Sequence, residues 1–297
     1  MGTISVYSDF DIFCRNLEIP ETVKEKVNTR IKAITKRINT DYWGSSSETA
    51  HSLVVGSYGR GTAIRTSDID IIVELPWSEY YRFDKYTWNG QSALLQSVKQ
   101  SLQTTYSSSD ISGDGQVVDI DFSDGIKFEV VPAFKYSDGS YCYPDTNQGG
   151  SWKKMNPSLE MLVFAYKDAD YNGNLTRLCR MARAWKEKMN VLMPGILIDT
   201  IAYQFLADYK YAKESYTFFD WMSRDFFNYI IQNESTTTWY KFGSTGTVKK
   251  EYSASVNTDS KKAHALALEA ISAGASDMYY TWHNKWRDIY GNKFPSA

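Results

Sequence analysis

What the chain lacks narrows it first. Its three cysteines, Cys14, Cys142 and Cys179, are odd in number and widely spaced over 297 residues. That spacing suits neither a disulfide framework nor a zinc site, and a reducing cytoplasm is the expected compartment. No apolar run approaches the ~20 residues of a membrane span, so no membrane role is expected. The first residues have no signal-peptide core, and Val6 stands where a myristoylation motif opening on Met1-Gly2 has Ser or Thr. An excess of charge of one sign is missing too. Thirty-three basic and 35 acidic residues leave a net charge of −2, which excludes the global basic field of a dedicated nucleic-acid binder. A double-stranded RNA or DNA activator is not expected for the same reason. There is no internal repeat and no low-complexity tract.

What is present begins with aromatics, 15% of the chain with nine Trp and 22 Tyr, a content that predicts packing. The informative stretch runs from Val54 to Pro76, VVGSYGRGTAIRTSDIDIIVELP. An apolar strand stops at Gly56-Ser57, a loop carries Gly59, Arg60, Gly61 and Thr62, and a second strand opens on Asp68-Ile69-Asp70. Residues two apart in a strand share a face, so Asp68 and Asp70 project together, about 7 Å apart at the backbone. Like charges that close repel unless a hard cation lies between them. Gly56-Ser57 can offer bare backbone N–H groups and a hydroxyl to phosphate oxygens. A phosphate cradle beside a dicarboxylate is the equipment of metal-assisted nucleotidyl transfer.

Around this stretch the pattern predicts a short helix within residues 5–17 and a longer one from Pro20 to about Asn39, with Val23, Val27, Ile31, Ile34 and Ile38 on one face. Its remaining face carries Lys24, Lys26, Arg30, Lys32, Lys36 and Arg37, either simply solvated or a basic rail beside a polyanion. Residues 77–88 read as aromatic and irregular, and 92–105 as helix. Val117–Phe122, the turn Ser123-Asp124-Gly125 and Ile126–Pro132 read as a β-hairpin. On it Phe128 and Val130 face one way, and Lys127, Glu129 and Val131 the other. Asp119 and Asp121 alternate on the first strand, as expected for the solvent face of an edge strand. Residues 137–154, rich in Gly, Asp and Asn, read as a loop closing a first domain at residues 1–150, with a helical domain over 151–297. A helix from Asn174 to Lys188 places Arg177, Arg180, Arg183 and Lys186 at intervals of three. At 100° per residue only neighbours among them can share a ligand, so Arg180 with Arg183, or Arg183 with Lys186, could grip a triphosphate.

The order Gly56-Ser57, then Asp68-Ile69-Asp70, then Phe128-Glu129-Val130-Val131-Pro132-Ala133-Phe134 resembles the DNA polymerase β-like nucleotidyltransferase superfamily. The acid followed by Val-Val-Pro-Ala-Phe is similar to the branch holding 2′-5′-oligoadenylate synthases and cyclic GMP-AMP synthase. Leu178–Lys186, the Gly149-Gly150-Ser151-Trp152 loop and the closing Tyr290–Pro295 are similar to the bacterial CD-NTases, the cyclic-oligonucleotide synthases of antiphage CBASS operons. The resemblance implies an α+β fold: a polymerase β-like lobe with a mixed sheet, a helical C-terminal lobe resembling oligoadenylate synthase, and a long N-terminal helix joining them. It implies that Asp68, Asp70 and Glu129 hold two Mg²⁺ ions, for which Mn²⁺ can substitute. It further implies that Gly56 and Ser57 hold the donor triphosphate, with Arg183, Lys186 and Thr200 closing on it, and Arg60 reaching or bracing it. The implied reaction joins nucleoside triphosphates, ATP among them, into a cyclic di- or trinucleotide with release of pyrophosphate. Implied partners are CBASS regulatory proteins and an effector sensing the product. The other readings of the same residues are an oligoadenylate synthase, a nucleotidyltransferase acting on a small molecule or tRNA, and an inactive nucleotide-binding scaffold.

Overall fold

The computed structural model describes residues 3–65 and 68–297. Met1 and Gly2, on which the lipidation reading turned, and Thr66 and Ser67 of the central stretch lie outside them. The chain forms two compact units. One gathers the chain up to Glu18, Gly61–Ile64 and everything from Leu162 onward; the other takes Ile19–Arg60 and Arg65–Met161. The expected division at residue 150 thus moves to Met161/Leu162, within one continuous helix. The reason is local: residues 137–154 are not a linker but a second hairpin.

The first unit to consider is the sheet unit. Strands β1 (Ser52–Val54), β2 (Ile69–Glu74), β3 (Asp110–Asp114), β4 (Val117–Asp121) and β5 (Lys127–Lys135) lie in the order β1-β2-β5-β4-β3. β6 (Tyr141–Asp145) continues the sheet from the far half of β5, and β7 (Ser151–Met155) pairs with β6. Among the described strands only β2 and β5 pair in parallel, as a crossover through two helices permits. Ile69, Ile71 and Val73 of β2 and Phe128 and Val130 of β5 are buried in one core with Val27, Ile34 and Ile38 of α2 (Glu21–Ile38) and Leu94, Val98 and Leu102 of α5 (Gly90–Thr105). Alternation then sends Asp70 and Ile72 to the opposite face, where Ile72 joins a smaller cluster with Val55, Ala133 and Tyr141 and Asp70 is half-buried.

Two expectations are corrected here, and a choice between two readings is made. Residues Trp77–Asp84 form a helix, α4, whose rings pack at a tilt against Phe134, Tyr136 and Trp152. β3, unforeseen, takes the sheet edge, so Asp119 and Asp121 lie on an interior strand. The basic face of α2 is mostly engaged by carboxylates: Lys24 with Glu21, Arg30 bidentate with Asp124, Lys36 with Glu48, and Arg37 with Asp41. The solvated-face reading holds over the basic rail.

The helical unit is built on α7 (Asn174–Met189), with α8 (Gly195–Ala207), α9 (Phe219–Gln232), α10 (Ser253–Ala275) and α11 (Tyr279–Tyr290), and on α1 (Val6–Asn16) from the N-terminus. Leu175, Leu178, Ala182 and Trp185 form the buried stripe of α7. Phe10 and Phe13 of α1 pack against Phe294 near the C-terminus, which is fully buried. The polar excursion before α10 contains a small hairpin, β8 (Thr238–Tyr240) and β9 (Thr247–Lys249). Among the described residues, no helix is long and apolar enough to cross a membrane.

Candidate active site

The glycine-serine corner forms one tight turn of helix, α3 (Gly56–Gly59), at the end of β1. Its start is pinned to β2 by the Val55 amide, which donates to the Asp70 carbonyl at 2.9 Å. Gly56 has φ +64°, and a methyl group built on it would stand 1.7 Å from Asp70 Oδ2. Both the backbone conformation and the carboxylate pressed against the Cα require glycine here. Gly59 is similarly constrained, since its Cβ would lie 2.6 Å from the Val54 carbonyl.

Register assembles the acids. Asp70 lies opposite Glu129 in the parallel β2–β5 pair, and Glu129 lies opposite Asp119 in the antiparallel β5–β4 pair. Three carboxylates therefore stand in one row across adjacent strands, spaced by the ~4.8 Å strand separation, with Asp68 exposed just before β2. Burial pushes the Asp70 carboxyl above its usual range; Arg60 pulls it back and Asp68 pushes it further. Burial likewise raises Glu129, with Asp70, Asp119 and Asp68 adding to it and Lys127 opposing. Lys127 Nζ lies 3.2 Å from Asp119 Oδ1 and 3.9 Å from Glu129 Oε1.

Asp119 was missed as a neighbour of the site, although the hairpin turn at Ser123-Asp124-Gly125 carries the signal. Counting back from that turn pairs Asp121 with Lys127 and Asp119 with Glu129. Among the described residues, no three His, Cys, Asp or Glu side chains stand as a metal-binding cluster. The donor set nonetheless fits a divalent ion in kind. Carboxylate oxygens are hard donors, and mutually repelling acids set side by side on a rigid sheet are what such an ion neutralises.

The four residues expected from the helical unit divide. Arg183 is buried and makes a two-armed ion pair with Asp199, at 2.5 and 3.1 Å, and Asp199 also accepts from the Thr62 hydroxyl at 3.0 Å. Thr200 is fully buried, and its hydroxyl donates to the Ile196 carbonyl at 2.7 Å. Both side chains are engaged by partners within the helical unit. Arg180 donates through Nε to the Gly61 carbonyl at 2.8 Å and reaches Glu18 at 3.5 Å, so it braces the loop that follows α3. Lys186 is half-buried on α7.

Comparison with known proteins adds the family. The model of the Second Messenger Oligonucleotide or Dinucleotide Synthetase domain matches residues 4–165, more than half of the chain. The chain belongs to this family. It is a nucleotidyltransferase that makes a cyclic oligonucleotide second messenger from nucleoside triphosphates. The matched segment includes Gly56, Ser57, Asp68, Asp70 and Glu129. Synthetases of known structure share the polymerase β-like α+β fold. CdnC of E. coli MS115-1, in complex with HORMA-deltaN, superposes with a TM-score of 0.70 at 14% identity over 98% of each chain. CdnG of Bradyrhizobium diazoefficiens, in complex with GTP, gives 0.68 at 12% identity over 97% of this chain and 95% of its own. The Vibrio cholerae cyclic AMP-GMP synthase DncV, holding a linear intermediate, gives 0.67 at 11% identity over 98% and 87%. No curated protein matches by sequence.

Proposed function

We propose that this synthetase joins ATP and a second nucleoside triphosphate, without a template, into a cyclic di- or trinucleotide in a CBASS antiphage system. The observation that carries the assignment of the site is the register of Asp70 against Glu129 beside a corner that admits only glycine. Asp68, Asp70 and Glu129 would hold two Mg²⁺. When bound, such ions lower the pKa of an acceptor hydroxyl and offset charge on the α-phosphate as pyrophosphate leaves. The chain's own part is positional. α3 turns the Ser57 hydroxyl and backbone amides toward the phosphates, and Arg60 adds positive charge beside Asp70. Lys186 serves as the triphosphate contact from α7, while Arg183 and Thr200 keep α7 and α8 in place. The proposed second partner is a regulatory protein, because CdnC is known with HORMA-deltaN and the balanced charge of this chain offers no broad surface for a nucleic acid. An effector would sense the product.

The test incubates pure protein and Mg²⁺ with each labelled triphosphate alone and in pairs. Phosphatase and a 3′-5′-specific nuclease then reveal ring closure and linkage. Asp68→Asn combined with Asp70→Asn should abolish product with an unchanged circular dichroism spectrum. Retained turnover, or linear products only, would reject the reading.

A further inference from the structure

Lys127 stands among the acids of this site, with its ammonium within 4 Å of two of them. β2, β3 and β4 contain no basic residue, and β5 has one at each end, Lys127 and Lys135. Lys127 precedes Glu129 by two positions, so it shares the face of the acid row. Its own cross-strand partner is Asp121, yet its ammonium is drawn diagonally to Asp119 at 3.2 Å and stands 3.9 Å from Glu129. The three side chains are each about a quarter to a third exposed, so water reaches them but does not fully screen the interaction.

We propose that Lys127 is a positioning residue that competes with the divalent ion for Glu129, and that Asp119 sets the strength of this competition by holding the ammonium aside. The inference rests on the reading that Glu129 is a metal ligand. An ammonium about 4 Å from a carboxylate oxygen occupies the space that a ligated cation needs, and it repels that cation as well. Asp119, opposite Glu129 in register, offers the ammonium a second carboxylate. With Asp119 present Lys127 lies nearer to it than to Glu129; without it the ammonium has Glu129 as its nearest acid. Lys127 would thereby set the metal concentration at which the synthetase switches on.

Mn²⁺ binding to the full chain, read from the electron paramagnetic resonance signal of the free ion in the presence of a non-hydrolysable ATP analogue, tests this without relying on turnover. Lys127→Met keeps the apolar stem and should tighten Mn²⁺ about tenfold, a free-energy difference of about 1.4 kcal/mol. Lys127→Arg should stay near wild type. Asp119→Asn should weaken Mn²⁺ binding, and the double variant should behave like Lys127→Met, because Asp119 acts through the lysine. The half-saturating Mg²⁺ for product formation should shift in the same directions. If Lys127→Met leaves Mn²⁺ affinity within twofold while Glu129→Gln abolishes binding, the proposal is wrong and the metal reading stands. A raised KM for triphosphate with unmoved metal affinity would make Lys127 a phosphate contact instead. If Glu129→Gln leaves Mn²⁺ binding intact, the metal reading itself fails and the competition with it.

Discussion

Replacing Gly56 by alanine is the smallest change that tests whether Asp70 must sit where it does. The added methyl would lie 1.7 Å from Asp70 Oδ2 and 2.6 Å from its Cγ, whereas carbon and oxygen in contact need more than 3 Å, so the carboxylate must retreat by roughly 1.5 Å. A displacement of about 1 Å in a reacting group can cost ~10²-fold in rate, so turnover should fall at least a hundredfold. The positive φ adds about 1–2 kcal/mol of backbone cost for alanine, which lowers the melting temperature by several degrees without unfolding the protein at 25 °C. Product formation under saturating triphosphate and Mg²⁺, beside a thermal melt, separates the two effects. Near-normal turnover in a protein that melts a few degrees lower would refute the argument, since Asp70 would then work equally well from a displaced position.

Other outcomes follow from the same structure. Arg183→Ala takes the two-armed partner from the buried Asp199 carboxylate, and loss of one partner of a buried pair costs about 3–5 kcal/mol; denaturant unfolding should show this, whereas a raised KM at unchanged stability would return Arg183 to the phosphate. Asp70 and Glu129 both have raised carboxyl pKa values, above 3.8 and 4.5 respectively. Their contribution to stability is therefore fully present below those ordinary values and is lost as pH rises through the raised ones. Removing one charge of an in-register acid pair is worth about 0.2–1 kcal/mol. Glu129→Gln should accordingly melt up to about 3 °C higher than wild type at pH 7 without metal, and the gap should close below pH 4; an equal or lower melting temperature at pH 7 contradicts the repulsion.

The sequence made the sheet side of the site readable because strand alternation is a two-residue rule. Asp70 against Ile69 and Ile71, and Glu129 against Phe128 and Val130, follow from period alone, and the burial of those four neighbours agrees. Helical periodicity likewise located α2 and α7. What period cannot supply is the identity of a distant partner. Arg177, Arg180, Arg183 and Lys186 recur at one spacing along the helix, yet Arg183 meets an aspartate 16 residues on and Arg180 a carbonyl 119 residues back. Spacing by threes could not distinguish these. Residues 77–84 and 137–154 were misjudged for a different reason. Gly, Asp and Asn punctuate the turns of a short hairpin as readily as a linker, and aromatic residues weaken the helical pattern of α4.

The charge of the acid row argues for the order in which its ligands arrive. Asp68, Asp70, Glu129 and Asp119 bring four carboxylates to one region of the sheet, and Arg60 and Lys127 offset part of their charge. A divalent ion is suited to neutralise the charge that remains on such a row. A triphosphate adds more negative charge than a single ion can offset, so nucleotide approaching the metal-free sheet meets repulsion that Ser57 and backbone amides are too weak to overcome. Nucleotide and metal must then bind together. Titration of ATP against the protein in chelator should give little or no binding heat, and Mg²⁺ should restore it. Equal affinity with and without the ion would mean that the triphosphate is held away from the acids, by cations of the helical unit alone, and that the carboxylate row is not where phosphate binds.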